Sequence, residues 1–179
     1  MRGDGVRVLR ISLLFLLIPT VLSLGGCGYR LTSRPGPASP VFGKNIAVPV
    51  FVNKGYRVNL GAYLAGSLVE EFAMRSGGKV VGEDAAELIL SGAVISYSNN
   101  AIAYSASDTV KEYRAFITAE ATLTEKITRK VIWKGTLSWS QNYPANPVVA
   151  LQQNNEEAAI REICVKLAQQ IYELVSAGF

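Results

Sequence analysis

The fold is decided by residues 113–140, YRAFITAEATLTEKITRKVIWKGTLSWS. On both sides of a charged segment, Glu125 to Lys130, apolar and polar residues alternate, which is the period of a strand with one buried face. The predicted core face is formed by Tyr113, Ala115, Ile117, Ala119, Ala121 and Leu123 in the first strand and by Val131, Trp133, Leu137 and Trp139 in the second. The stretch therefore predicts an antiparallel hairpin that turns at Glu125 to Lys130 and leaves its other face polar.

Two further strands are predicted upstream of this hairpin. Residues 87–97 are apolar in both phases, which predicts a central strand buried for much of its length. Residues 99–109 are rich in Ser, Asn and Ala and predict a loop. Residues 46–52 predict the first strand, and Pro49 places it at an edge or a bulge because proline cannot donate a ladder hydrogen bond.

Two amphipathic helices complete the pattern. The first is predicted over residues 60–75, with Asn59 as N-cap, and it ends at a pair of glycines. The second begins where Asn154 and Glu157 resemble a capping box, and it runs to about Ala177. Its apolar stripe includes Cys164, which predicts a buried thiol.

The order of these elements is β-α-β-β-β-α. A helix between two strands implies a right-handed parallel crossover, while the later hairpin adds antiparallel pairing. The predicted fold class is α+β: a two-layer sandwich in which a mixed four-stranded sheet carries both helices on one face.

Composition argues against catalysis. The chain contains no histidine, which removes Ser-His-Asp and Cys-His nucleophiles and the usual zinc ligand sets. Its acidic residues form no motif, and there is no glycine-rich phosphate loop. We therefore predict no enzyme activity, no catalytic residue, no metal site and no cofactor.

The charge balance does not indicate nucleic-acid binding. Residues 1–26 carry three basic side chains and one acidic one, and without them 15 Lys and Arg face 13 Asp and Glu. No basic stripe is interleaved with aromatic residues.

The N-terminus has the organisation of a secretory signal. A basic segment is followed by an uncharged run over residues 11–24, interrupted by Pro19 and too short to span a bilayer comfortably. The following Leu24-Gly25-Gly26-Cys27 resembles a bacterial lipobox. The alternative is an uncleaved anchor helix with an incidental cysteine.

The lipobox resemblance implies that Cys27 becomes the first residue and carries a diacylglycerol and an N-acyl chain, which would hold the protein firmly on a membrane. Gly28 at the next position suggests the outer membrane. We therefore predict a signal peptide over residues 1–26, a lipidated N-terminus and Pro/Gly-rich tether over 27–43, and an α/β domain over 44–179.

Several stretches together resemble the LPS-assembly lipoprotein family LptE. They are Cys27-Gly28-Tyr29-Arg30-Leu31, Val48-Pro49-Val50-Phe51-Val52-Asn53, Ala86-Glu87-Leu88-Ile89-Leu90-Ser91-Gly92, Lys111-Glu112-Tyr113-Arg114 and Val131-Ile132-Trp133. The resemblance implies an outer-membrane lipoprotein that forms a complex with the LptD β-barrel as a plug in its lumen. It also implies binding of lipopolysaccharide and a fold with two helices on a sheet.

The candidate lipopolysaccharide contacts are Lys126, Arg129 and Lys130 in the hairpin turn, because basic side chains neutralise phosphates. The alternative interpretation is that these charges keep the turn solvated and protect strand edges.

Two other functions stay open from the sequence. One is an outer-membrane lipoprotein that activates a cell-wall synthase, but a tether of residues 28–43 reaches at most about 55 Å. This length favours a partner in the same membrane. The other is a small-ligand carrier, which would need an apolar cavity.

Overall fold

The computed structural model describes residues 39–177. The strands and helices, numbered in chain order, are β1 Ile46–Ala47, β2 Val52–Asn53, α1 Leu60–Arg75, β3 Leu88–Tyr104, β4 Val110–Glu125, β5 Val131–Pro144 and α2 Val149–Ser176. A short 3₁₀ turn, Glu83–Ala85, precedes β3. This order is the predicted one, except that the first strand is divided in two.

The strands form one mixed sheet in the order β1-β3-β4-β5, with β2 also beside β3. β1 and β2 run parallel to β3, as the predicted crossover requires, and the β3–β4 and β4–β5 pairs are antiparallel. In the β4–β5 ladder Leu123 lies opposite Trp133 and Ile117 opposite Trp139, so the predicted core face of the hairpin is in register.

Both helices pack on one face of this sheet and close a single core. The side chains at its centre are buried almost completely: Leu60, Leu64, Leu68 and Phe72 of α1, Ile160, Ile163, Leu167 and Ile171 of α2, and Leu88, Leu90, Ile117 and Leu123 of the sheet. Cys164 is buried among them, as predicted, and burial raises the pKa of its thiol to about 12. The two-layer prediction is confirmed.

The first predicted strand is interrupted around Pro49. Ile46 lies opposite Leu88 and Val52 opposite Ala93, so six steps along this segment correspond to five along β3. The segment therefore holds one extra residue, and Pro49 lies within it, where no ladder donor is needed. Both features named from the sequence, an edge position and a bulge, are present.

The predicted loop over residues 99–109 is wrong for its first half. β3 continues to Tyr104, and Asn99 and Asn100 pair with Ala115 and Arg114 of β4. Ladder hydrogen bonds hold these polar residues in a strand although their side chains favour turns, because β4 offers a partner backbone along its whole length. The loop proper is residues 105–109.

A bulge in β3 explains part of the apolar character of both its phases. The register shifts between Val94 and Ser96, so Val94 and Tyr97 both face the core although they are three positions apart. Ile95, at the shift, is 38% exposed. The prediction of a central strand is confirmed, because β3 lies between β1 and β4, but its burial does not include Ile95.

The helix starts also differ from the predictions. Asn59 precedes α1 as expected, but it adopts a left-handed conformation and its side chain makes no capping hydrogen bond. The capping box is wrong, because α2 begins five residues before Asn154, at Val149. The chain is instead fixed before α2 by the side chain of Asn146, whose Oδ1 accepts the backbone N–H of Val148 at 2.9 Å.

Among residues 39–177, no helix has the length and apolarity needed to cross a bilayer.

Candidate functional site at the hairpin turn

The turn between β4 and β5 is held by its own hydrogen bonds. The N–H of Glu125 donates to the carbonyl of Lys130 at 2.9 Å. The hydroxyl of Thr128 donates to the Glu125 carboxylate at 2.6 Å and accepts the N–H of Lys130 at 3.2 Å. Arg129 completes the reversal with a φ of 56°, a conformation that non-glycine residues rarely adopt. The backbone of the turn is thus a defined structure.

Lys126, the first predicted contact residue, is directed back onto the protein. Its Nζ donates to the carbonyl oxygens of Glu83 and Asp84 at 2.7 Å each. Its backbone N–H donates to the carbonyl of Glu87 at 2.9 Å. Lys126 therefore fastens the turn to the 3₁₀ turn before β3, and its ammonium is engaged there.

Arg129 and Lys130 are exposed at the tip of the turn. Between Lys126 and these two cations lies Ile127, which is 91% exposed, and Val131 beside them is 54% exposed. The turn therefore combines two outward cations with an apolar side chain. Ile127 could have been noticed in the sequence, because an isoleucine in a charged turn has no core to enter.

A third cation, Lys44, joins the site from the start of the domain. Its Nζ lies 4.0 Å from Oε1 of Glu125, at the base of the turn. Sequence reasoning did not place Lys44 here, because β1 reaches the turn only through its parallel pairing with β3. Lys134, close to the turn in sequence, is instead paired with Glu120 at 3.3 Å.

The face of the sheet away from the helices is mostly polar along β4 and β5, as predicted, although Phe116 is exposed there. Across β4 and β5, Nε of Arg114 donates to Oδ1 of Asn142 at 2.8 Å, and the hydroxyls of Thr118 and Ser138 lie 3.0 Å apart. These cross-strand pairs satisfy the polar groups among themselves.

Two adjacent carboxylates on α2, Glu156 and Glu157, are used for structure. The hydroxyl of Tyr97 donates to Glu156 at 2.7 Å, and burial together with this bond raises the pKa of Tyr97. The hydroxyl of Tyr63 donates to Glu157 at 2.9 Å. Hydrogen bonds from Arg161 and then Tyr63 lower the pKa of Glu157. The two carboxylates therefore connect α2 to α1 and β3.

Within residues 39–177, no group of three or more Cys, Asp or Glu side chains lies close enough to hold a metal ion. Cys27, the predicted lipid attachment site, lies outside the described residues.

The comparisons with known proteins bear on this architecture directly. The family model described as LptE, lipopolysaccharide-assembly, matches residues 43–174. The chain belongs to the LptE family. LptE proteins are outer-membrane-associated lipoproteins of lipopolysaccharide assembly and are not enzymes, so the role of this LptE chain lies in that assembly. The match favours this role over activation of a cell-wall synthase.

Solved lipoprotein structures share the fold. Rare lipoprotein B from Shewanella oneidensis superposes with a TM-score of 0.54 at 14% identity, covering 74% of this chain and 94% of that one. An uncharacterized lipoprotein B from Nitrosomonas europaea gives a TM-score of 0.55 at 17% identity, covering 84% of this chain and 91% of that one. At these identities the likeness is one of fold. No curated protein sequence matches this LptE chain.

Proposed function

We propose that this LptE chain is anchored in the outer membrane through acylated Cys27 and occupies the lumen of an LptD-like β-barrel. There the hairpin turn contacts lipopolysaccharide through Arg129 and Lys130. Family membership supports the role in lipopolysaccharide assembly. The structure of the turn supports its contact with lipopolysaccharide.

The chemistry of the turn is the observation that supports its contact with lipopolysaccharide. Lipopolysaccharide has phosphates next to acyl chains, and the turn has Arg129 and Lys130 next to the exposed Ile127. An arginine guanidinium binds phosphate with two parallel hydrogen bonds, and a lysine adds a mobile charge. Because Lys126 and Thr128 fix the turn, its backbone needs little further ordering when lipopolysaccharide binds.

The exterior of the domain suits a polar barrel lumen. Such a lumen is lined by polar side chains, so a protein inside it needs a polar surface over a stable core. The open face of the sheet, with its hydroxyl and amide pairs, meets this requirement.

Changing both Arg129 and Lys130 to alanine is expected to weaken lipopolysaccharide binding about fivefold, since each exposed ion pair contributes about 0.2–1 kcal/mol. The remaining binding should depend less on salt, because fewer charges are left to screen. Binding is measured with purified chain and lipopolysaccharide over a range of salt concentrations, and thermal unfolding is expected to stay unchanged.

The matched control removes two exposed lysines outside the turn, Lys54 and Lys111, with the same change in net charge. If both double variants lost the same lipopolysaccharide affinity, the effect would come from overall charge. This result would contradict the assignment of Arg129 and Lys130 as contacts. Lys126→Ala provides a contrast, because loss of its two carbonyl contacts is expected to lower the melting temperature.

Cys27→Ala is expected to move the protein from the detergent phase to the aqueous phase in detergent-phase partitioning. Each buried CH₂ of an acyl chain contributes about 0.8 kcal/mol, so loss of all chains removes the anchor. Cys164→Ala is the control, because this second cysteine is buried in the core and cannot carry an anchor. If the purified Cys27→Ala protein partitioned into the detergent phase as the wild-type protein does, lipidation at this residue would be contradicted.

Complex formation is tested by gentle detergent extraction and pull-down of the tagged, lipidated chain. We expect an LptD-like barrel of large mass in stoichiometric amount. Recovery of a periplasmic cell-wall synthase in its place would overturn the proposal.

A further inference from the structure

The edge of the sheet at β5 is unusually long and open. Within the described part of the chain, β5 pairs with β4 alone, so the other side of its 14-residue backbone has no strand partner. Edge strands are commonly short or interrupted by charges and proline, which prevents pairing with other chains. The eight residues from Thr136 to Tyr143 contain neither a charge nor a proline. This edge is therefore competent to accept another strand.

Helix α2 runs beside this edge, and a first cavity of about 320 Å³ lies between them. It is lined by Leu137 and Ser138 of β5 and by Gln170, Glu173 and Leu174 of α2. Leu174 is 41% exposed, although Ile171 and Val175 on the same helix are in the core. The cavity thus offers an apolar floor with a carboxylate at its rim.

A second cavity of about 270 Å³ lies farther along the same edge. It is formed by residues 141–144 of β5 and by Asn155, Ala158, Ala159 and Glu162 of α2. On β5 the first cavity begins at Leu137 and the second at Gln141, four residues and about 13 Å farther along the strand. Side chains at positions i and i+4 of an added strand share a face and have this separation.

The charged side chains that line the two cavities are both carboxylates, Glu162 and Glu173, and both are exposed. Lys166 lies between them on the same face of α2 and is half-buried. Each cavity therefore has one carboxylate at its rim, and a cation lies between these two carboxylates on α2. A complementary segment has a basic residue facing each cavity and an uncharged stretch between the two.

We propose that β5 and the groove against α2 form a strand-addition site for an extended segment of the barrel partner. The segment carries apolar residues at i and i+4 and a basic residue beside each of them. Backbone hydrogen bonds to β5 supply affinity, and the two cavities fix the register. This inference rests on the proposed complex with an LptD-like barrel and names the surface through which that complex is held.

Amide hydrogen exchange tests strand addition separately from complex formation. In the purified complex with the LptD-like barrel, alternate amides over residues 132–143 are expected to exchange at least about tenfold more slowly than in the free chain, because strand pairing protects one side of the strand. A stable complex whose β5 amides exchange as in the free chain would overturn the inference and leave the proposed function standing. Absence of any complex would overturn both.

Protection of β5 in the free chain that rises with concentration, together with dimer formation, would assign the edge to a second copy of this chain. That outcome also overturns the inference, and it is read from the mass of the free chain in solution.

Filling the groove provides a second test. Ala158→Trp places a bulky ring in the second cavity, and because Ala158 is exposed the fold should be retained. We expect affinity for the barrel to fall about tenfold, the size of effect seen when a central contact is lost. Ala73→Trp, at an exposed position of α1, is the matched control and should bind as wild type. Equal affinity of the two variants would contradict the site.

Discussion

Replacement of Phe72 by alanine is expected to lower the free energy of unfolding by about 3–5 kcal/mol. The Phe72 side chain is 0% exposed and lies in the layer between the two helices and the sheet. Its ring meets Tyr172 of α2 edge-on, with centroids 5.0 Å apart, which adds to the loss of buried area. Because both helices pack rigidly on the sheet, the vacated space cannot close fully.

The effect is measured by urea unfolding of the purified chain. Met74→Ala, two positions along α1, serves as the control, since Met74 is 74% exposed and its truncation should change stability by less than about 0.5 kcal/mol. If the two variants had similar unfolding midpoints, Phe72 would not be the core contact described above.

Gly61→Ala is expected to destabilise the chain by about 3 kcal/mol, the upper part of the range for overpacking. Gly61 lies in the first turn of α1, where the helix approaches the segment before β2 very closely. A Cβ atom at this position would lie 1.9 Å from the carbonyl oxygen of Phe51. Backbone atoms cannot yield as a flexible side chain can, so α1 or the β1–β2 segment has to shift.

Gly66→Ala, five residues along the same helix, should have the opposite effect and stabilise the chain. Nothing lies within 4 Å of its added Cβ, and alanine in a helix is favoured over glycine by about 0.5–1 kcal/mol. Thermal unfolding of both variants compares them directly. Stabilisation by Gly61→Ala would show that α1 does not approach Phe51 this closely.

The parts of the fold that could be predicted are those that the local periodicity of apolar residues indicates. The alternation over residues 113–140 placed the hairpin turn correctly, and the stripe of Leu60, Leu64, Leu68 and Phe72 placed α1 with its bounds. In each case one face of an element is apolar at the period of that element, and burial of this face is what stabilises it.

The errors arose where distant pairing overrides local preference. The polar residues after Ser98 look like a loop, but the opposite strand β4 keeps them extended. Asn154 and Glu157 have capping-box spacing, yet the helix starts earlier, because Asn146 and the preceding loop fix its entry. Local propensity is a weak guide when a neighbouring backbone or side chain satisfies the same groups.

The candidate site shows the same division. Its place in the hairpin turn could be predicted, but the separate task of Lys126 could not, because the carbonyls it binds are 42 and 43 residues away in sequence. Lys44 entered the site for the same reason, through a strand pairing that no local pattern encodes.

The parallel pairing of β1 and β2 with β3 sets an order for folding. β1 and β2 have two residues each, too few to form a stable sheet by themselves, and the apolar stripe of α1 has no sheet to cover it before β3 exists. The β3–β4 and β4–β5 hairpins close short loops and form faster than the crossover. In a chain synthesised N-terminus first, residues 46–75 therefore remain exposed to solvent until synthesis has reached about Glu125. During this interval aggregation competes with folding most strongly.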